Sequence, residues 1–266
     1  MASLKLRSLA FTLGAALVAV PVVAQDLTLV FKESGGMGGD TSSQYFTKDR
    51  MRHNQGDHDT IMEYATGKLT NIDHKKKEYF ETSLLDMEAQ MKAASAEMEK
   101  ANAQMKQQME NMPPAMREKM EQMMGGAAAS VTVTKGGARK IAGYDCQEYT
   151  VAMGQGMKTE SCNTTALKFP VPEVELKRFA SLGGAMVGMA NNPMFKGAAQ
   201  MAEKMKEVQG FPLSSTTTFA MMGKSTTSTR EAVEVKQGPI DPSVFALPAG
   251  YKKVAPPQMK ARGPQN

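Results

Sequence analysis

The chain has 266 residues, enough for an export signal and one large domain or two small ones. Its 32 Lys and Arg stand against 27 Asp and Glu, a net charge of only +5 with no basic stripe, so nucleic acid is excluded as the expected partner. It has no tryptophan, two cysteines and 24 methionines, and the methionines need a physical reason.

The first residues read as an export signal. Lys5 and Arg7 precede a short apolar run, 9–20 (LAFTLGAALVAV); Pro21 breaks it, and Val22-Val23-Ala24 resembles an A-x-A cleavage site. The run is shorter than the about 20 residues a membrane-spanning helix needs. Residues 1–24 are therefore expected to be a cleavable signal peptide, and the mature chain to be periplasmic or secreted with no transmembrane segment.

Strands come next. Residues 27–32 (LTLVFK) alternate, the stretch 33–42 is a Gly-rich loop, and 44–53 with 58–65 make a hairpin about Asn54-Gln55-Gly56-Asp57. Segments 68–73 and 77–82 extend the meander, with Lys75, Lys76 and Lys77 on a solvated turn.

A methionine-rich helical insertion then spans 83–124. Ser83 and Asp86 form a capping-box pattern, and Glu88 and Lys92 lie at i,i+4. Leu84, Met87, Met91, Met98, Met105, Met109 and Met112 fall at helical steps and make one apolar stripe. Pro113 and Pro114 break the helix, and Met116, Met120 and Met123 line a second short piece. The stripe has three readings: core packing, a pliable surface for an apolar ligand, or a thioether site for Cu(I).

Strands return with 131–135, 140–151 and 157–163. Cys146 and Cys162 lie on the latter two, each eight residues from Gly154, so a hairpin centred there sets them opposite each other. With an export signal, a structural disulfide is expected; the C-x-x-C of a redox pair is absent. A second helical region runs from about 172 to 209 and carries Met186, Met189 and Met201. A last strand pair, 211–221 and 225–236, is rich in threonine. The segment DPSVFALPAGY closes the fold, and 252–266 is expected to be a disordered tail.

The expected fold class is α+β: a curved antiparallel sheet, an unclosed half-barrel, with two Met-rich helical insertions on its concave face. Two segments, RKIAGYDCQEYTV (139–151) and DPSVFALPAGYKKV (241–254), together with the meander 44–82, resemble exported bacterial proteins of the DUF4412 type. That group resembles the LolA/LolB-like half-barrels, whose members include carriers of lipoprotein acyl chains and periplasmic stress sensors. The resemblance implies one LolA-like domain over 25–251 and supplies no catalytic residues.

No phosphate-binding loop, dinucleotide fingerprint or nucleophile elbow is present, so neither an enzyme nor a cofactor is expected. His53 and His58, with Asp57 and Asp59, read as an exposed polar turn rather than a metal site, and His74 lies at the next turn. The reading that follows is a periplasmic module holding a lipid or other hydrophobic ligand on Met87, Met91, Met98, Met105, Met186, Met189 and Met201. The alternatives are soft-metal binding through Met109, Met112, Met116, Met120 and Met123, and a protein-interaction or envelope-stress module whose Met surface meets a protein partner.

Overall fold

Alternating apolar residues make β1, Leu27–Ser34, the strand against which the others are laid: Leu27, Leu29 and Phe31 are fully buried on one face. The computed structural model describes residues 25–35, 40–110, 113, 131–154, 156–175, 203–221 and 224–257. From β1 the chain runs through an antiparallel meander: β2 (Thr41–Phe46), β3 (Arg50–Gln55), β4 (His58–Glu63), β5 (Lys68–Asp73) and β6 (Glu78–Ser83). It leaves the sheet as α1 (Leu84–Glu110). It returns as a second meander: β7 (Val131–Ile141), β8 (Tyr144–Met153), β9 (Met157–Thr164), β10 (Phe211–Met221) and β11 (Lys224–Gln237). Strand β11 pairs with β1, and β12 (Lys252–Lys253) pairs parallel to β6. The result is one open twelve-stranded sheet in the order β12-β6-β5-β4-β3-β2-β1-β11-β10-β9-β8-β7.

Two expected strands are each divided. The run 44–53 breaks at Thr47, whose hydroxyl accepts from the backbone N–H of Asp49 (3.3 Å) and Arg50 (3.2 Å) and so turns the chain. The run 140–151 breaks at Ala142-Gly143, with φ of 48° and 87°, a two-residue turn that sets Ile141 opposite Tyr144. Alanine tolerates the left-handed conformation poorly, but here its methyl packs against the core, a contact glycine would lack.

The sheet is curved. Arg139 on β7 donates to Ser214 Oγ on β10 (2.7 Å) and lies 3.4 Å from Glu231 on β11, with β8 and β9 between. Three strand spacings of about 4.8 Å would hold β7 and β10 about 14 Å apart in a flat sheet. Bulges assist the bend. Gly136 and Gly137 together face Glu148, their carbonyls accepting from the Gln147 amide at 2.7 and 2.8 Å. Val233 is an extra residue of β11 opposite the Val30–Phe31 step, and it is turned out to solvent.

Both faces of the sheet carry a core. One cluster joins Leu27, Leu29, Phe31 and Phe46 to Cys146, Cys162, Leu213 and Ala232. The irregular segment after β9 lays Leu167, Phe169 and Val171 onto it; the Phe169 ring is 4.9 Å from both Phe46 and Phe211. Such pairs add about 0.5–1.5 kcal/mol to simple burial. The other face is covered by the closing segment: Phe245 packs with Ile61 and Ile72, and Tyr45, Tyr79, Ile240, Val244 and Tyr251 surround them. Tyr45 and Phe46, neighbours on β2, belong to opposite cores, as the two-residue strand period requires.

Helix α1 starts where β6 ends, without a loop. Ser83 Oγ accepts from the Asp86 N–H (3.1 Å) and Asp86 Oδ2 accepts from the Ser83 N–H (3.1 Å), the expected capping box. Leu84 is buried against Gly67, whose φ of +65° closes the β4–β5 turn; a Cβ there would stand 3.3 Å from Leu84 Cδ1. The Glu88–Lys92 pair forms at 2.7 Å. The described packing of α1 is thus at its first turn, on β6 and the β4–β5 turn, while Leu85 is exposed. Of the second helical region, turns at 173–175 and 203–205 are described, and 176–202 lie outside the described residues. Residues 252–254, expected within a disordered tail, are instead held to the sheet edge: Lys252 N donates to Lys77 O (3.0 Å) and Val254 N to Tyr79 O (2.8 Å), while 258–266 lie outside the described residues.

Cys146 and Cys162 are bridged, with Cα atoms 5.4 Å apart. They are diagonal rather than opposite. Met153 faces Met157, so the hairpin centres on residue 155 and not on Gly154, and Cys162 faces Glu148. A two-residue offset keeps both sulfurs on one face, which is why the bridge still closes.

The bridge closes a loop with a sequence separation of 16. Replacing both cysteines by serine is expected to cost about 3 kcal/mol in urea denaturation. An unchanged midpoint would mean that the bridge contributes nothing to stability.

Candidate functional site

Past Phe31 the apolar face of β1 turns polar. Glu33 follows Phe31 on the same face, and the register carries that face across the neighbouring strands. Phe31 is opposite Ser42, and Ser42 opposite Gln55; Leu29 is opposite Gln44, and Gln44 opposite His53. In the other direction Glu33 is opposite Arg230, and Arg230 opposite Ser215. Of these, Glu33, His53, Gln55, Ser215 and Arg230, with Asp40, Ser228 and Thr229, wall a pocket of about 440 Å³.

The Glu33 carboxylate is occupied: Ser42 Oγ donates to one oxygen and Gln55 Nε2 to the other. Arg230 stacks on Phe31, its guanidinium carbon 3.6 Å from the ring centroid, a cation–π contact. Its Nε lies 3.5 Å from Glu33 Oε1, an ion pair without hydrogen-bond alignment. Nε and Nη2 are buried and make no hydrogen bond. Burial draws the guanidinium below its ordinary pKa, and Glu33 opposes that shift. His53, with Nδ1 3.3 Å from Gln44 Nε2, is held below the usual imidazole range by burial first and then by Arg230. It is therefore neutral at neutral pH.

On the opposite face lies a second polar group with every partner made. Asp59, fully buried, accepts from Arg52 Nη2, Asn54 Nδ2 and His74 Nε2, the last at 2.9 Å. Arg52 Nη1 donates to Val244 O, and His74 Nδ1 is 2.8 Å from the Tyr251 hydroxyl. With the His74 proton on Nε2, Nδ1 accepts from Tyr251. This network ties the closing segment to the sheet, and breaking such a buried pair costs about 3–5 kcal/mol. Asp59 and His74 are thus latch residues, not members of a solvated turn, and His53 belongs to the pocket. Among the described residues no group of three or more His, Cys, Asp or Glu is placed to hold a metal ion.

Of the methionines expected to bind ligand, Met87 is on α1 and 37% exposed. Met91, Met98, Met105 and Met109 are also on α1, with side chains outside the described residues. Met112, Met116, Met120, Met123, Met186, Met189 and Met201 lie outside them altogether. Arg230, Glu33 and Ser215 were not singled out in the sequence. Their signal is a charged residue in phase with a buried row, Phe31-x-Glu33 and Arg230-x-Ala232. Strict alternation hides the second, because the bulge at Val233 shifts Val235 onto the face of Ala232.

Fold and pocket together define a β-rich scaffold: one open, curved antiparallel sheet, latched on one face and bearing a polar pocket on the other. The chain belongs to the DUF4412 family, a domain of unknown function, matched over residues 71–251. That span includes Ser215, Ser228 and Arg230 and leaves Glu33 and His53 before it. No curated protein matches the sequence. Among solved structures the chain is similar to PNGF-II at 9% identity and a TM-score of 0.37, covering 88% of this chain and 31% of that one. It is similar to an uncharacterized conserved protein from Thermus thermophilus at 7% identity and a TM-score of 0.43, covering 88% and 92%. It is also similar to MucB at 9% identity and a TM-score of 0.35, covering 85% and 57%. The chain thus spans about a third of the PNGF-II chain.

The pocket generates a pH test. The unfolded His53 takes up a proton near its ordinary value of 6.5, the folded one only lower, so its contribution is complete above that value and lost as pH falls below it. Between about pH 7.5 and about pH 5.5, urea stability should fall more for the wild type than for His53→Gln. Parallel losses would contradict the buried, neutral imidazole.

Proposed function

We propose that the protein is an exported binding module that holds a hydrophobic ligand, such as an acyl chain, against the methionine-rich insertions. The observation that carries this reading is the open pocket beside Phe31, about 440 Å³ in volume, whose wall keeps two buried Arg230 nitrogens without an acceptor. Its volume falls within the about 300–1,000 Å³ common to ligand sites, and its polar lining suits the polar end of an amphipathic ligand.

Two other features support the reading. The sheet face that bears Phe31 is filled by Leu167, Phe169 and Val171, and Met87 on α1 is exposed. Flexible thioethers suit a ligand of variable shape. The Cys146–Cys162 bridge suits an oxidising compartment, in keeping with export. Both cysteines of the chain are used in it, which leaves no thiol nucleophile and favours binding over catalysis.

A fluorescent fatty-acid analogue should bind the mature protein saturably. Joint Met→Ser replacement at 87, 91, 98 and 105, with 186, 189 and 201, should weaken it about tenfold or more. Absence of saturable binding, or full affinity in the serine variant, would overturn the proposal.

A further inference from the structure

The pocket has a charge pattern that selects a ligand class within the reading just proposed, on which this inference rests. One cation, Arg230, faces two carboxylates, Glu33 and Asp40, while His53 contributes no charge at neutral pH. Ser215, Ser228 and Thr229 add hydroxyls that can donate or accept.

Arg230 needs acceptors. Its fork suits two anionic oxygens, and the fold offers one carboxylate, Glu33, at 3.5 Å without hydrogen-bond alignment, whose oxygens also accept from Ser42 and Gln55. A bare anion fits poorly, because it would meet two carboxylates for one guanidinium. A bare cation fits poorly too, because it would leave the Arg230 nitrogens unsatisfied. A group with an anionic oxygen next to a protonated amine answers both: the oxygen toward Arg230, the ammonium toward Asp40. We propose that the pocket between Arg230, Glu33 and Asp40 binds the zwitterionic end of an amphipathic ligand, an anionic oxygen paired with a primary ammonium. A phosphoethanolamine headgroup has this chemistry, whether carried by a lipid or free.

Three residues divide the recognition. Arg230 supplies the charge-assisted hydrogen bonds. Glu33 balances the guanidinium and is positioned by Ser42 and Gln55. Asp40, exposed at the rim, meets the amine. The Asp40 backbone is fixed by its carbonyl accepting from the Glu33 N–H at 2.8 Å.

The test is calorimetric titration of the full mature chain with lysophosphatidylethanolamine and lysophosphatidylglycerol below their micellar concentrations. The wild type should prefer the amine-bearing lipid about tenfold, one charge-assisted contact. Asp40→Asn should remove that preference with little loss of glycerol-lipid affinity. Arg230→Gln should weaken both lipids while the fluorescent fatty acid still binds. Free O-phosphoethanolamine that binds and is displaced by the lipid supports the site with a soluble source. Binding of the lipid alone supports it with a membrane source. Equal affinity of the two lipids for the wild type, or a preference that survives Asp40→Asn, overturns the zwitterion site while leaving the apolar reading intact. Loss of fatty-acid binding in the wild type overturns the apolar reading instead. If Arg230→Gln does not fold, the Asp40→Asn arm decides alone.

Discussion

The pairing of β1 with β11 is the constraint on which the rest of the molecule depends. It joins two meanders that are far apart in sequence into a single sheet, and long-range antiparallel pairing of this kind is fixed by which face must be buried. The one-residue bulge at Val233 sets the phase. With it, Ala232 and Val235 turn in beside Phe31 and Leu29, and Arg230 arrives opposite Glu33. Without it, half of β11 would present the wrong face to the core. The same pairing therefore builds the apolar core and the polar pocket at its end.

The two faces of the sheet are treated differently. On the face of Ile61 and Ile72, Asp59 is surrounded by Arg52, Asn54 and His74, and the closing segment is latched through Val244 and Tyr251. That network has no open valence, which gives it a structural role. On the other face, Arg230 is held by stacking and by a loosely aligned carboxylate, with hydrogen-bonding capacity left over. Buried donors without acceptors cost stability, a cost that a ligand or a water bound in the pocket would offset.

Much of the sheet was legible in the sequence. Strands 68–73 and 211–221 coincide with β5 and β10, because turn residues flank the first and apolar residues alternate along the second. The Ser83–Asp86 cap and the cysteine pairing also follow from spacing alone. What alternation misread were the places where a local device overrides it: Thr47 turning the chain within QYFTKDRMRH, Ala142 accepting a left-handed turn because its methyl is buried, and the Val233 bulge. The pocket was illegible for a related reason. Its members come from four strands, with Gly35 and Asp40, and are gathered by register, so neither Glu33 nor Arg230 has a sequence neighbour that announces it. The methionine stripe was conspicuous in the sequence, yet the described core owes it only Leu84 at its start.

The most direct test of the central claim, that this chain carries an amphipathic ligand, is native mass spectrometry of the mature protein taken from its own cell envelope without detergent. The account predicts a population with added mass that, on dissociation, yields an apolar molecule bearing a primary amine. Only the bare chain mass, unchanged when the protein is mixed with extracted envelope lipid, would contradict it.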